Sequence, residues 1–347
     1  MSNVTTGHEK RGTNVRLLSE AKDISHVGYG FMASKVLFAA LDLEIFSHFA
    51  DGPLAVDEIQ KRTKAAPNGL RTLLRACTSL GLLGLDGDRY FNSPAAAAYL
   101  VMKSPLYFGD YFRYQIDRQI YPSFEELGDA LNGKPTTPMY ARMSSPAEAE
   151  LFSRSQHVGS LGPAHLLARR VDGSRWTSLL DVAGGSGAFS IAMCERNPQL
   201  RATIIDFPNV VQIAQRYASQ SGLAERISTV AGEALATSWP GGQDAVLMSY
   251  LLSAMPADTF RPLFEKAWRA LKTGGTILVH DFMLDDQRHG PSNAALWFVA
   301  NSISGPDLVS FSASDLTTIL LDSGFTAPES TDLLPGLTGL VSARKTP

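Results

Sequence analysis

The segment 179–189 constrains the fold of this chain more than any other part of the sequence. Apolar residues surround Asp181, glycines follow at positions 184, 185 and 187, and an apolar helical pattern begins after them. Glycine tolerates positive φ, and its missing Cβ lets a ligand approach the main chain. The segment therefore predicts a buried strand, a tight turn and a helix, which is the arrangement of a cofactor loop on an open α/β sheet.

A second feature lies downstream, where residues 202–206 have the pattern of a strand that ends in Asp206. An acidic residue about 20 positions after a glycine turn commonly binds the hydroxyl pair of a ribose. Ser190 stands where a dinucleotide fingerprint has its third glycine, so a pyrophosphate site is not indicated. A nucleoside cofactor with an amino-acid tail fits this pattern better than a dinucleotide does.

Composition is typical of a soluble globular protein. The chain has 347 residues, of which 44% are hydrophobic and 19% charged, and this length allows two domains. A net charge of −3 gives no electrostatic reason to expect nucleic acid or a membrane as partner.

The two cysteines, Cys77 and Cys194, are expected to be buried thiols in a reducing cytoplasm. We expect no metal site, because metal ligands do not recur at recognisable spacing, and no membrane span.

The first third of the chain has a mostly helical pattern. Residues 1–14 are polar and are expected to form a flexible arm, and residues 15–104 are expected to form one domain. Helical patterns at 56–63 and 68–80 precede a predicted hairpin at 84–91, which is the order of a winged helix. A winged helix raises DNA binding as an alternative, although two arginines on the second helix do not make the basic face that phosphates require.

Residues 105–170 are expected to be linker helices that contribute to a substrate pocket. Residues 106–130 are rich in aromatic side chains, which favours either an interface or a substrate lid. A long helix is expected at 148–170, directly before the glycine strand.

Residues 171–347 alternate between strand and helix patterns. Strands are predicted at 178–183, 202–206, 227–231, 244–250 and 275–281. Helices are predicted at 187–196, 208–221 and 258–271, with another starting near Ser314. The tail, 329–345, has the pattern of two antiparallel strands. The predicted fold class is therefore α/β, with a Rossmann-like parallel sheet that ends in an antiparallel hairpin.

Taken together, segments 181–187, 205–210, 231–233 and 274–279 resemble, in order, the motifs of class I S-adenosylmethionine-dependent methyltransferases. The front half resembles that of the dimeric caffeate and hydroxyindole O-methyltransferases. This resemblance implies a homodimer formed through the N-terminal domain, and S-adenosylmethionine as cofactor. It implies a cofactor site made of Asp181, Gly184, Gly185, Gly187, Asp206, Phe207, Gly232, Glu233, Ser249 and Tyr250.

The roles within this set also follow from the resemblance. Gly184 and Gly185 would line the methionine portion, Asp206 would bind the ribose, and residues 232–233 would face the adenine. A carboxylate can accept hydrogen bonds from both ribose hydroxyls.

The sequence departs from these O-methyltransferases at the base. The family places a histidine after the fourth strand of its sheet to take the proton from the acceptor hydroxyl, whereas this chain has Ser253 there. Asp281 matches an acidic position that supports that histidine, and the preceding His280 should point to the opposite face and be buried. The expected catalytic residues are therefore Ser253, Asp281 and His157.

The missing histidine favours a thioether acceptor, because sulfur can accept a methyl group without losing a proton. The chain also resembles the methylthiohydroxybutyrate S-methyltransferases at Ser253, so S-methylation of a small acidic thioether is the preferred hypothesis. Its carboxylate would meet basic side chains, namely Arg113, Arg118, Arg142, Arg154 and His157. The wider substrate site is expected to contain Tyr111, Arg113, Tyr114, Tyr140, Phe152, Gln156, His157 and Trp297.

Three alternatives remain open from the sequence. The first is O- or C-methylation of an aromatic metabolite with a displaced base, for which His157, His280 and Asp281 are the candidates. The others are a nicotinamide-dependent dehydrogenase and a winged-helix regulator.

Overall fold

The computed structural model of the protein describes residues 17–137, 146–305 and 307–346. They divide into two compact units. Among the described residues, the helical unit comprises 18–128, 137 and 146–165, and the sheet unit comprises 17, 129–136, 166–305 and 307–346. Tyr140 and Arg142, two of the predicted substrate contacts, lie outside the described residues.

The helical unit begins with five helices and a small sheet. The helices are α1 (Ala21–Asp42), α2 (Ile45–His48), α3 (Val56–Thr63), α4 (Pro67–Ser79) and α5 (Pro94–Tyr99). Strands β1 (Leu54–Ala55), β2 (Leu83–Asp86) and β3 (Arg89–Asn92) pair antiparallel in the order β1-β3-β2. The apolar faces of α2, α3 and α4 meet in one core that includes Phe46, Ile59 and Leu74. The predicted order of two helices and a hairpin is present.

The rest of the helical unit contains an unusual element. The aromatic segment forms a π-helix over Tyr111–Ile120, which continues into α6 (Tyr121–Ser123) and a 3-10 turn at Phe124–Glu126. Two further helices complete this part of the chain, α7 (Leu127–Leu131) and α8 (Pro146–Arg170). Hydrophobic periodicity predicts the long helix but gives no sign that the aromatic segment is a π-helix.

The sheet unit contains a seven-stranded sheet in the order β6-β5-β4-β7-β8-β10-β9. Its strands are β4 (Ser178–Val182), β5 (Arg201–Asp206), β6 (Ile227–Ala231), β7 (Gln243–Ser249), β8 (Leu271–Phe282), β9 (Thr326–Leu334) and β10 (Thr338–Arg344). Strands β4 to β8 are parallel, and β10 pairs antiparallel with both β8 and β9. The predicted fold class is confirmed.

Within the described chain, five α-helices lie between the strands of this sheet: α9 (Ala188–Arg196), α10 (Pro208–Gln220), α11 (Phe260–Ala270), α12 (Ser292–Ser304) and α13 (Ala313–Asp322). Helix α12 is absent from the sequence-based prediction. The middle strands are buried on both faces, as expected for a parallel sheet covered by helices. Because β4 lies between β5 and β7, the chain order reverses there. Such a reversal opens a crevice at the carboxyl ends of the strands.

The packing of α11 against the sheet can be tested with two leucines. Leu263 on α11 is fully buried, whereas Leu321 on α13 is 49% exposed. We expect Leu263→Ala to lower the free energy of unfolding by about 2–5 kcal/mol, because it removes buried apolar atoms and leaves a cavity. Leu321→Ala should cost less than about 1 kcal/mol. Denaturant titration at fixed protein concentration measures both, and equal losses would contradict this assignment of the core.

Candidate active site

Two strained residues mark the crevice at the centre of the sheet. Ala183 follows β4 and Tyr250 follows β7, and each has a φ of 55°. A non-glycine residue in this left-handed region is unfavourable and persists only where the surrounding structure enforces it, often at ligand sites. Since β4 and β7 are the neighbouring strands at which the chain order reverses, the strain coincides with the expected ligand position.

The glycine turn is tied to the end of β5 through Asp206. The backbone N–H of Gly185 donates to Oδ2 of Asp206 over 2.8 Å, and the N–H of Phe207 donates to Oδ1 over 2.7 Å. Gly185 and Gly187 have positive φ values of 58° and 81°, which glycine adopts without strain. A Cβ on Gly184 would lie only 2.7 Å from the carboxyl carbon of Asp181. The turn thus leaves no room for a side chain at position 184.

Asp181 lies beneath this turn and is buried. Its Oδ2 accepts a hydrogen bond from the Ser190 hydroxyl over 2.7 Å, but its Oδ1 has no hydrogen-bond partner among the described residues. Burial raises the pKa of Asp181 to about 6, although the hydrogen bond from Ser190 opposes this shift. Burial also raises the pKa of Asp206. Both carboxyls therefore favour a cationic or hydrogen-bond-donating neighbour.

The loop after β6 forms the next part of this edge. The N–H of Gly232 donates to the backbone oxygen of Asp206 over 2.9 Å, and a Cβ on Gly232 would collide with the Thr237 hydroxyl at 1.8 Å. The ammonium of Lys266 donates to the backbone oxygens of Leu235 and Thr237, each over 2.7 Å. Hydrogen bonds from Gly232 and Lys266 thus fix the backbone of this loop, while the side chain of Glu233 is exposed.

At the ends of β7 and β8, His280 is buried between two hydroxyls. Its Nδ1 lies 2.8 Å from the Ser249 hydroxyl and its Nε2 lies 3.0 Å from the Thr338 hydroxyl. Burial lowers the pKa of His280 to about 3, so the ring is neutral near pH 7. Its ring also packs edge-on against Tyr250 at a centroid distance of 4.5 Å. These contacts describe the buried, satisfied histidine that the sequence predicts.

Asp281 and Ser253 lie together. Oδ2 of Asp281 accepts the Ser253 N–H over 3.0 Å, and Asn301 on α12 donates to the Ser253 backbone oxygen over 2.9 Å. Burial raises the pKa of Asp281 to about 6, while hydrogen bonds from the backbone and side chain of Ser253 oppose the shift. The carboxyl therefore contacts Ser253 and has a pKa raised to about 6.

Trp297 on α12 stacks on Phe282 at a centroid distance of 4.8 Å, with an interplanar angle of 16°. The Tyr250 ring lies 5.1 Å from the same Phe282 ring. The predicted substrate contact Trp297 and the predicted cofactor contact Tyr250 therefore share one aromatic neighbour.

The predicted substrate residues of the helical unit are mostly engaged within that unit. Arg113 and Arg118 both form ion pairs with Asp42, at 2.7 Å and 3.2 Å. Arg154 forms an ion pair with Asp110 at 2.8 Å. The guanidiniums of these three arginines surround the ring of Tyr114 at 5.0–5.6 Å. Asp42 and Asp110 thus supply the carboxylates that these arginines were expected to meet in the substrate.

Three other predicted residues lie on α8, namely Phe152, Gln156 and His157, and all are half-buried. Burial lowers the pKa of His157 to about 4, which makes it a weak base near neutral pH. Tyr111 of the π-helix stacks on Phe108, and burial raises the pKa of its hydroxyl.

Two family models match the chain. The model of the O-methyltransferase domain matches residues 132–326, and the model of the O-methyltransferase dimerisation domain matches residues 25–102. The chain belongs to the O-methyltransferase family.

Individual relatives agree with this membership. This chain is 31% identical to a 3-hydroxy-5-methyl-1-naphthoate 3-O-methyltransferase of Streptomyces sahachiroi, and the match covers 93% of this chain and 94% of the relative. It is 29% identical to the N,N-dimethyltransferase OxyT of Streptomyces rimosus, over 77% of this chain and 80% of the relative. The structure of human N-acetylserotonin methyltransferase in complex with S-adenosylmethionine aligns with a TM-score of 0.83 and 25% identity, covering 96% of this chain and 100% of the human one.

Membership confirms the predicted S-adenosylmethionine-dependent methyltransferase and its dimerisation domain. This membership contradicts the alternative that the chain is a nicotinamide-dependent dehydrogenase. Helix α1 is long and apolar enough by length and composition to cross a membrane, a test that a core helix of a soluble protein also passes, so the expected absence of a membrane span stays a prediction. This helix overlaps the match to the dimerisation domain.

Sequence reasoning missed several residues that position this site. The sequence pattern marks Ser190 only as the position where a dinucleotide fingerprint has its third glycine, but its hydroxyl donates a hydrogen bond to Asp181. Thr338 and Asn301 hold His280 and Ser253 from elements far along the chain, and no local pattern identifies them. Lys266 is similarly remote from the loop whose carbonyls it binds.

Proposed function

We propose that this protein transfers the methyl group of S-adenosylmethionine to a hydroxyl oxygen of a small aromatic metabolite. The observation that carries the proposal is the likeness of nearly the whole chain to an O-methyltransferase that acts on a hydroxynaphthoate. The matching domain model supports the same reaction class. The likeness to an N,N-dimethyltransferase means that family membership alone does not fix the accepting atom.

The residues at the carboxyl edge of the sheet fit this cofactor. Bound S-adenosylmethionine supplies a methyl group on a cationic sulfur, together with an ammonium and a ribose diol. The unpartnered, buried Oδ1 of Asp181 and the side-chain-free surface of Gly184 suit a positively charged methionine tail. Asp206 keeps lone pairs for ribose hydroxyls after it accepts two backbone N–H groups.

The remaining predicted contacts complete the proposed cofactor site. Phe207 and Glu233 are exposed at the ends of β5 and β6, where they would flank the adenine. The rest lie at the ends of β4 and β7 and would contact the methionine portion: Gly187, Ser249 and Tyr250. Gly232 would let the adenine approach the backbone.

Asp281 is the proposed displaced base, acting through Ser253. The Ser253 hydroxyl would take the proton of the acceptor hydroxyl and give its own proton to Asp281, while bound S-adenosylmethionine would supply the methyl group by cleavage of its S–CH3 bond and leave as S-adenosylhomocysteine. The contact between the two residues and the raised pKa of Asp281 support this role. His280 is a poor candidate because burial lowers its pKa to about 3 and both of its ring nitrogens contact hydroxyls. His157 is a weaker base than Asp281.

The thioether hypothesis has less support than aromatic O-methylation. Ser253 still favours it, because a thioether needs no base. However, the arginines expected to bind an acidic thioether are paired with Asp42 and Asp110.

The helical unit is the proposed dimerisation surface. Helix α1 exposes apolar side chains, namely Ile24, Val27, Tyr29, Phe31 and Met32. Apolar surface of this extent is typical of a face that a second subunit covers. The match to the dimerisation domain supports a homodimer over a membrane span for this helix.

The cofactor site can be tested at Gly184. We expect Gly184→Ala to weaken S-adenosylmethionine and S-adenosylhomocysteine binding at least tenfold, because the added Cβ would press on the Asp181 carboxyl. Gly241→Ala is the matched control, since a Cβ there meets no atom within 4 Å. Isothermal calorimetry measures both, and unchanged affinity in Gly184→Ala would contradict the proposed site.

The acceptor class can be tested with a panel of compounds. Naphthols, hydroxynaphthoates and hydroxyindoles should release S-adenosylhomocysteine, whereas thioether acids should not. Mass spectrometry of the products should locate the new methyl group on oxygen. Turnover of thioether acids alone would overturn aromatic O-methylation.

The base can be tested by the pH dependence of kcat/KM. Asp281 is ionised above about pH 6 and loses its ability to accept a proton as the pH falls through that value. The rate should therefore rise up to about pH 6 and then level. Asp281→Asn should remove this limb and lower kcat about 10²–10⁴-fold, whereas His157→Gln should keep it. A limb at the same pH in Asp281→Asn would assign the proton to another group.

A further inference from the structure

The loop between β6 and β7, residues 232–242, has neither helical nor strand structure along its described length. It begins with Gly232 and Glu233, which the proposed function places beside the adenine. A loop without regular structure keeps one geometry only where other contacts hold it. The groups that hold this loop therefore determine how selectively it can recognise a base.

Lys266 of α11 supports this loop. Its ammonium donates to the backbone oxygens of Leu235 and Thr237, each over 2.7 Å. It also lies 5.3 Å from the centroid of the Trp239 ring, and Nε1 of that ring donates to the backbone oxygen of Ala234 over 2.9 Å. Two side chains thus hold three backbone oxygens of the loop.

The support comes from a rigid element. Leu263 and Ala267, which flank Lys266 on α11, are fully buried in the core of the sheet unit. The ammonium itself is half-buried, and burial lowers the pKa of Lys266, while the charge of Glu233 opposes this shift. A side chain on a packed helix can fix a loop more precisely than a contact from another loop can.

The effect of Lys266 reaches the start of the loop through Thr237. The Thr237 hydroxyl lies over Gly232, where a Cβ would come within 1.8 Å of it. The Thr237 N–H donates to the backbone oxygen of Glu233 over 2.8 Å. Because Lys266 binds the carbonyl of the same threonine, loss of that bond would let Thr237 shift against both residues.

We propose that Lys266 is a positioning residue for base recognition, which holds Gly232 and Glu233 so that the loop accepts adenine and rejects a 6-oxopurine. The inference rests on the proposed function and adds to it a residue outside the predicted cofactor contacts. The exposed Glu233 carboxylate can accept a hydrogen bond from the 6-amino group of adenine. Hypoxanthine has an oxygen there, which is another acceptor and is repelled by a carboxylate held in place.

The test compares the binding of S-adenosylhomocysteine and S-inosylhomocysteine by isothermal calorimetry, which requires no methyl acceptor. We expect the wild-type protein to bind the adenine compound at least about tenfold more tightly. Lys266→Met keeps the aliphatic stem but removes the ammonium. It should weaken binding of the adenine compound about tenfold and change binding of the inosine compound less than about twofold. Lys266→Arg still offers donors to both carbonyls and should keep the preference within about threefold of wild type.

Lys272→Met is the matched control and should alter neither affinity. It removes an ammonium that binds Asp244 near the amino ends of β7 and β8, away from the loop. Trp239→Phe is a second variant, which keeps an aromatic ring but loses the bond to Ala234. It should lower the preference about threefold, and it tests the inference even if Lys266→Met does not fold.

Equal losses for both compounds in Lys266→Met would overturn the inference, since the lysine would then serve the fold alone. An unchanged preference in Lys266→Met and Trp239→Phe would also overturn it, as would a wild-type protein that binds both compounds equally well. In each of these cases the binding of S-adenosylhomocysteine by the wild type still supports the proposed function. If the wild-type protein binds neither compound, the proposed function itself fails and the inference fails with it.

Discussion

The hydrogen bond from the Gly185 N–H to the Asp206 carboxylate is the contact on which the candidate site depends. It joins the turn after β4 to the end of β5, and the backbone oxygen of Asp206 extends the connection to Gly232 after β6. Three neighbouring strand ends are thereby held in register at one edge of the sheet. Glycine at position 184 is required by the same arrangement, because the buried Asp181 carboxyl occupies the space that a side chain would need.

The electrostatics of this edge follow from burial. Asp181, Asp206 and Asp281 all have raised pKa values because they are removed from water. Within the described residues, none of the three forms an ion pair, although each accepts at least one hydrogen bond. Carboxyls left in this state favour a cation nearby. A cationic methyl donor meets this requirement, whereas a dinucleotide phosphate would be repelled.

The sequence predicts the parts of this structure that depend on local pattern. Short apolar segments locate the strands, and the glycines with Asp206 locate the cofactor loop, because both signals lie within a few residues of the atoms concerned. Asn301 and Thr338 could not be identified in this way, since each meets its partner only after distant segments pack together. The π-helix was also inaccessible, because its apolar and polar spacing is close to that of an ordinary helix. The substrate roles of the arginines remain predictions, but their pairing with aspartates depends on a tertiary fold that periodicity does not encode.

The two units differ in how the charges of their buried and half-buried side chains are compensated. At the sheet edge, buried carboxyls lack cationic partners, which suits a charged ligand. In the helical unit, the charged side chains of Arg113, Arg118 and Arg154 are neutralised by aspartates, and the unsatisfied buried atoms are neutral amide oxygens. An unpaired buried charge is costly, so a site retains one only where its ligand compensates it. Among the described residues, the buried carboxyls without ion pairs at the sheet edge therefore agree with a cationic cofactor, whereas the arginines of the helical unit already have counter-charges.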